Sequence, residues 1–227
     1  MQCDSATKSL PHACGRKTRI GFVMAAMLAF SVFAFGAGDS RLAKRRTLTP
    51  EEIGLLDVTA PPYGADASGT RDSTAAIQQA VKDAYKQEMV CFFPPGQYLV
   101  TDTILAAQDM STHDQANCLV GSTAGAQRPR LVLPDNTPGF GNPDRPKPVV
   151  WIWTKPNEKK SQRTGGAVKA GSDNPEDANA AMGFCQVFRG IDIEVGAGND
   201  GAIGLSLPGA QQCEVADITV EMRSGFA

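Results

Sequence analysis

Two neighbouring stretches decide the fold, PYGADASGTRDSTAAIQQAV at residues 62–81 and VCFFPPGQY at residues 90–98. Asp72 in the first stretch is predicted to be the N-cap of a helix, because its carboxylate can accept hydrogen bonds from first-turn N–H groups. The second stretch is a short apolar strand that ends in a Pro-Pro-Gly turn. One amphipathic helix followed by short strands is typical of a solenoid with a capped N-terminal end. The apolar face of the predicted helix consists of Ala76, Ile77, Ala80, Val81 and Ala84.

Together these stretches resemble the N-terminal motif of the pectate lyase superfamily, which includes rhamnogalacturonase/epimerase-like and exo-β-1,3-glucanase-like proteins. The usual motif is YGA-x-GDG-x-x-DDT-x-AI followed by FPPG-x-Y. Here Ala67-Ser68-Gly69 replaces GDG and Asp72-Ser73 replaces the acidic pair, and both changes should preserve the turn and the cap. The resemblance implies an all-β fold, a right-handed parallel β-helix (a single-stranded solenoid) with an N-terminal capping α-helix.

A repeat near the end of the chain supports the solenoid. Residues 191–195 (IDIEV) have the same layout as residues 218–222 (ITVEM), which follow 27 residues later. That spacing lies within the range of solenoid repeats. Since side chains alternate across a strand, the apolar residues should stack inside the coil and the polar ones should point outward.

The first 38 residues have the three parts of a secretory signal peptide: basic residues, an apolar run at Ile20–Phe35, and small residues at 36–38. We therefore predict a secreted, extracellular protein. The alternative is an uncleaved anchor at residues 20–38, which would tether the exported chain to the membrane.

The remaining chain divides into an N-terminal arm at residues 39–56 and a pectate-lyase-like β-helix domain at residues 57–227. The chain ends directly after a predicted strand, which would leave strand edges and an apolar interior uncovered. We therefore expect this domain to be truncated at its C-terminus.

Composition excludes some functions. The chain is 42% hydrophobic and 20% charged, which is ordinary for a soluble domain, and its net charge is −2. The predicted signal peptide holds four basic residues and one acidic residue, so the exported part is more acidic still. This balance argues against a nucleic-acid partner, which requires a basic surface. Four cysteines remain after the signal peptide and allow three disulfide pairings, none of which the sequence selects: Cys91, Cys118, Cys185 and Cys213.

Outward-facing acids on the two repeats are the candidate catalytic residues. Glycoside hydrolysis needs two carboxyl groups roughly 5–10 Å apart, and stacked strands about 4.8 Å apart can provide that spacing. The simpler alternative is that these acids form the solvated face of amphipathic strands. The candidates are Asp192, Glu194, Asp217 and Glu221.

Trp151 and Trp153 are the candidate substrate-binding residues, because they point to the same side of one predicted strand and could stack on a sugar ring. Packing within the core is the alternative. The pattern GAGNDG at residues 196–201 matches a nucleotide-binding motif, but a short strand rather than a helix follows it, so we interpret it as a turn.

The resemblance implies the N-terminal part of an extracellular carbohydrate-active protein, a glycoside hydrolase or polysaccharide lyase with a polysaccharide as partner. The alternative is a non-catalytic β-helix that binds glycans or serves as a spike or adhesin. We expect no cofactor and no metal, with Ca²⁺ involved only if the protein is a lyase. We also expect no nucleic-acid partner, and no stable membrane insertion once the signal peptide is cleaved.

Overall fold

The computed structural model describes residues 48–109, 116–155 and 183–226. The predicted signal peptide and the first half of the predicted arm lie outside these ranges. Within them the fold is mostly strand, with a short 3-10 helix at Glu51–Ile53 and one α-helix, α1, at Thr74–Gln87. The strands are β1 (Leu55–Asp57), β2 (Ser68–Asp72), β3 (Val90–Phe93), β4 (Gly96–Leu99), β5 (Ile104–Asp109), β6 (Cys118–Gly121), β7 (Pro129–Leu133), β8 (Lys147–Lys155), β9 (Val187–Arg189), β10 (Asp192–Val195), β11 (Ala202–Ser206), β12 (Glu214–Ala216) and β13 (Val220–Met222).

Helix α1 forms where the apolar spacing predicts it, and its buried residues are Ile77, Ala80, Val81 and Ala84. The predicted N-cap is wrong by one residue, because Ser73 occupies that position and Asp72 is the last residue of β2. The Ser73 hydroxyl accepts a hydrogen bond from the Asp66 N–H at 2.9 Å, which ties this position back to the preceding turn. The Asp72 carboxylate still serves the helix, since it accepts the Thr74 N–H at 2.9 Å.

The strands form three sheets in which every neighbouring pair is parallel. The first sheet has the order β1-β3-β6-β9-β12, the second β13-β10-β7-β4-β2, and the third β11-β8-β5. From β3 onward the chain visits the first, second and third sheets in turn and then begins the next round. This is the all-β architecture of parallel sheets with one helix that the sequence predicts.

Strand register confirms the predicted repeat. Ile193 pairs with Val220 and Val195 pairs with Met222, each 27 residues further along the chain. The run from Leu99 to Leu105 is not one strand, because β4 ends at Leu99 and β5 begins only at Ile104. Between them Val100 is fully buried and donates its N–H to the Val132 carbonyl, so the chain turns there from the second sheet to the third.

The apolar core consists of inward side chains stacked in columns from strand to strand. In the first sheet, Leu56 pairs with Cys91, Cys91 with Leu119, and Leu119 with Phe188, and all four are buried. The column continues to Val215, which is 47% exposed. Burial therefore decreases in the last described round. Within the described ranges, no disulfide joins any of the four cysteines at 91, 118, 185 and 213.

Helix α1 lies against β5, the edge strand of the third sheet. Gln78 acts there as a strand would: its Nε2 donates to the Leu105 carbonyl and its Oε1 accepts the Leu105 N–H, both at 2.8 Å. The side chain thus satisfies an edge that no strand of the third sheet covers. No helix in the described part of the chain is both long and apolar enough to cross a membrane.

Candidate functional site

Asp192, Glu194 and Glu221 lie on the outer face of the second sheet and Asp217 lies between β12 and β13, and two arginines bring these four acids together in pairs. Arg128, just before β7, lies between Asp192 and Asp217. Its Nη2 is 3.1 Å from Asp192 Oδ1 and its Nη1 is 2.7 Å from Asp217 Oδ1, while Nη2 also donates to the Asp217 carbonyl. Asp192 is buried and accepts the Thr219 N–H at 2.8 Å as well.

The second pair of acids meets at Arg130 of β7. Its Nη1 lies 3.1 Å from Glu194 Oε2 and 3.4 Å from Glu221 Oε2. Arg223 adds a hydrogen bond from Nη2 to Glu194 Oε1 at 2.8 Å. The hydrogen bond from Arg223 and those from Arg130 hold the pKa of Glu194 below its ordinary value, although partial burial opposes this.

These contacts constrain what the acids can do. A glycosidase needs one carboxyl group that stays protonated to donate to the leaving oxygen. Each of the four acids instead forms an ion pair with a guanidinium group, and the pKa of Glu194 is held below its ordinary value. The described residues therefore fit an ion-pair network better than an acid–base pair. The described ranges contain no group of three or more His, Cys, Asp or Glu placed to hold a metal ion.

The two tryptophans are neighbours on the outer side of β8, with ring centroids 5.6 Å apart and ring planes tilted by 41°. Trp153 is only 5% exposed, so little of its ring is open to a ligand. Trp151 is partly exposed and lines a groove of about 740 Å³ between α1 and the third sheet. The structure thus leaves Trp151 as the ring that a ligand can reach.

The groove around Trp151 is rich in hydroxyl, carboxylate and ammonium groups. Asp102 is held by Lys147, whose Nζ lies 2.7 Å away. Asp72 accepts hydrogen bonds from the hydroxyls of Thr74 at 2.5 Å and Thr101 at 2.7 Å. Partial burial tends to raise the pKa of both acids, but these hydrogen bonds outweigh it and hold each pKa below its ordinary value. Both acids are therefore acceptors at neutral pH.

The groove continues into a smaller apolar pocket of about 300 Å³ under the second half of α1. Lys82 and Leu105 line both spaces, and Tyr85 lies in the smaller one. The sequence indicated Trp151 but not the other residues that line the groove and the pocket. Most of these residues come from α1, β5 and β8, and no local pattern in the sequence indicates that these elements meet.

Residues 58–139 match the sequence model of the family described as rhamnogalacturonase A/epimerase, pectate lyase-like. The match contains both stretches that carry the resemblance and confirms it. This pectate lyase-like segment covers about a third of the chain and ends before the four acids. The match supports a carbohydrate-active protein as the class of function.

No curated protein matches the sequence significantly. Among solved structures, ORF18 of Geobacillus virus E2 is similar, with a TM-score of 0.40 and 19% sequence identity. The similarity covers 74% of this chain and 26% of the viral chain. This chain therefore spans about a quarter of the length of that protein.

Proposed function

We propose that this chain is the N-terminal part of an extracellular carbohydrate-active protein that binds a polysaccharide. In this proposal the described residues form a right-handed parallel β-helix, with α1 covering its N-terminal end. The round-by-round order of the three parallel sheets and the pectate lyase-like match support it. Residues 1–38 would direct export, either as a cleaved signal peptide or as a tether formed by residues 20–38. The acidic exported chain is consistent with having no nucleic-acid partner.

The observation that carries the proposal is the groove around Trp151. Sugar rings present apolar C–H faces that pack on aromatic rings, and hydroxyl groups that hydrogen-bond at the ring edge. Trp151 supplies the aromatic face, while Asp72, Asp102, Thr101 and Lys147 supply acceptors and donors around it. A groove of this size and mixed chemistry suits a segment of glycan chain.

Two activities follow from the same scaffold. The family resemblance favours a glycoside hydrolase or polysaccharide lyase as the activity of the complete protein. The arginine pairing of Asp192, Glu194, Asp217 and Glu221 favours a non-catalytic, glycan-binding role for the described residues. No cofactor is proposed. Ca²⁺ would take part only if the complete protein is a lyase, and residues other than these four would then bind it.

Calorimetric titration of the purified chain with laminarin, polygalacturonate and rhamnogalacturonan tests the proposal. Trp151→Ala should weaken binding about tenfold, since the stacking surface is lost, and Trp151→Phe should recover most of the affinity. Phe184→Ala is the matched control, because Phe184 is an exposed aromatic residue outside the groove. Equal affinities for the wild type and Trp151→Ala would refute the groove as the site. Release of reducing ends or of unsaturated products in the same samples would separate hydrolase, lyase and binder.

A further inference from the structure

A second pocket, of about 360 Å³, lies on the outer face of the second sheet and shares no lining residue with the groove at Trp151. Its floor is one row across three strands, because Gln97 of β4 pairs with Arg130 of β7, and Arg130 pairs with Asp192 of β10. Its rim is the segment joining β6 to β7, through Ala126, Gln127 and Arg128. Sheet register and one short connection therefore build this pocket together.

Several polar groups in this pocket have hydrogen-bonding capacity that no described residue uses. The side-chain amides of Gln97 and Gln127 are exposed and form no hydrogen bond within the described residues. Arg128 Nε is buried and has no hydrogen-bond partner among the described residues. Asp192 uses Oδ1 for both Thr219 and Arg128, so within the described residues Oδ2 is left as an acceptor. Donors and acceptors thus converge on one space, and an unpaired buried donor is costly unless a ligand satisfies it.

The charges around the pocket indicate which ligand fits. The guanidinium groups of Arg128 and Arg130 face four carboxylates, two each, so their positive charge is already compensated. An anionic ligand would meet an excess of negative charge, and its carboxylate would compete with protein carboxylates for the same donors. A hydroxyl group both donates and accepts, as an amide side chain does, and therefore matches these groups without adding charge.

We infer that this pocket binds a neutral saccharide unit through its hydroxyl groups, at a site separate from the groove of Trp151. The inference rests on the proposed function for the class of ligand, and it adds a second subsite and a preference for uncharged over uronic sugars. Gln97 and Gln127 contact the hydroxyls directly, while Arg128 Nε and Asp192 Oδ2 lie at the back of the pocket.

The test is the double variant Gln97→Ala/Gln127→Ala, titrated with neutral β-1,3-gluco-oligosaccharides and with oligogalacturonates. Both amides are exposed and form no hydrogen bond with any described residue, so the melting temperature should not change. Affinity for the neutral oligosaccharides should fall about tenfold, as expected for two lost hydrogen bonds. Gln211→Ala is the matched control, because Gln211 is an exposed glutamine outside the pocket.

The outcomes distinguish this inference from the proposed function. If Trp151→Ala weakens glycan binding but the double variant binds like the wild type, the second subsite is refuted and the groove remains. If the double variant loses affinity mainly for oligogalacturonates, the preference for neutral sugars is wrong. If the wild type binds no glycan, the proposed function fails and this inference fails with it. The inference is supported if the double variant loses affinity for neutral oligosaccharides while Trp151→Ala still binds them through the second pocket.

Discussion

Replacing Gln78 by alanine should loosen the contact between the cap helix and the edge of the third sheet. The substitution removes both hydrogen bonds to Leu105, and no strand of the third sheet lies on that side to replace them. A buried group left without its partner costs about 1–3 kcal/mol. Leu105 is only partly buried, so water can recover part of this. We therefore expect the free energy of unfolding to fall by about 1.5–3 kcal/mol for the two groups together.

Gln79→Ala is the matched control for this prediction. It makes the same change at the next position of α1, with the same effect on helix propensity, but breaks only the exposed hydrogen bond from Gln79 Nε2 to Asp83 Oδ2. A pair of that kind is worth about 0.2–0.5 kcal/mol. Equilibrium unfolding in urea measures both variants, as a shift of the midpoint at constant slope. Equal midpoints for Gln78→Ala and Gln79→Ala would show that the edge of β5 does not depend on this side chain.

Three further changes probe other parts of the fold, each measured by denaturant unfolding. Asn199→Ala should cost about 3 kcal/mol or more, because the fully buried amide accepts one backbone N–H and donates to two carbonyls. Gly121→Ala should be strongly destabilising, since an added Cβ would clash with the backbone carbonyl of Gly190, whereas Gly141→Ala meets only ordinary contacts and should be tolerated. Hydrogen bonds from Ser68 and Thr70 hold the pKa of Asp66 far below its ordinary value of 3.8. The stability that this carboxylate contributes is present above pH 3.8 and is lost as the pH falls further. Asp66→Asn should therefore flatten the decrease in the free energy of unfolding at low pH.

Each of these three expectations has a clear contrary result. A neutral Asn199→Ala would mean that water replaces the amide. Similar unfolding midpoints for the two glycine variants would show that the backbone at Gly190 can move away from Gly121. An acid limb that is unchanged in Asp66→Asn would assign the loss of stability at low pH to other carboxyl groups.

Local patterns in the sequence predicted the parts of the fold that depend on local chemistry. The apolar spacing in α1 and the 27-residue repeat both reflect which side chains face inward, and the structure confirms both. The corner at Val100 cannot be predicted from such local patterns. An apolar residue in a run of strand-forming residues gives the same pattern whether the strand continues or turns. Contacts from a distant part of the chain, such as the hydrogen bond from the Val100 N–H to the Val132 carbonyl, are not visible in that pattern.

The candidate site was harder to predict, because its contacts cross long stretches of sequence. The outward direction of Glu194 followed from alternation along the strand, but its partner Arg130 lies on β7, and only the register between β7 and β10 brings the two together. The environment of Trp151 likewise requires knowing that α1 covers β5 and that β5 pairs with β8. The sequence therefore indicated the outward direction of Glu194 and pointed to Trp151, but it could not show what surrounds either residue.

Arg130 also has a consequence for how the molecule would come apart. In most solenoids each repeat contacts only its immediate neighbours, and unfolding can spread one repeat at a time. Arg130 on β7 reaches Glu221 on β13, although β10 lies between these strands. Arg128, in the connection after β6, likewise reaches Asp217 just after β12, and β9 lies between those two strands. Pulling the outermost strand away thus strains a strand two positions inward. The last described rounds should peel together under mechanical load, as one cooperative block rather than as separate layers.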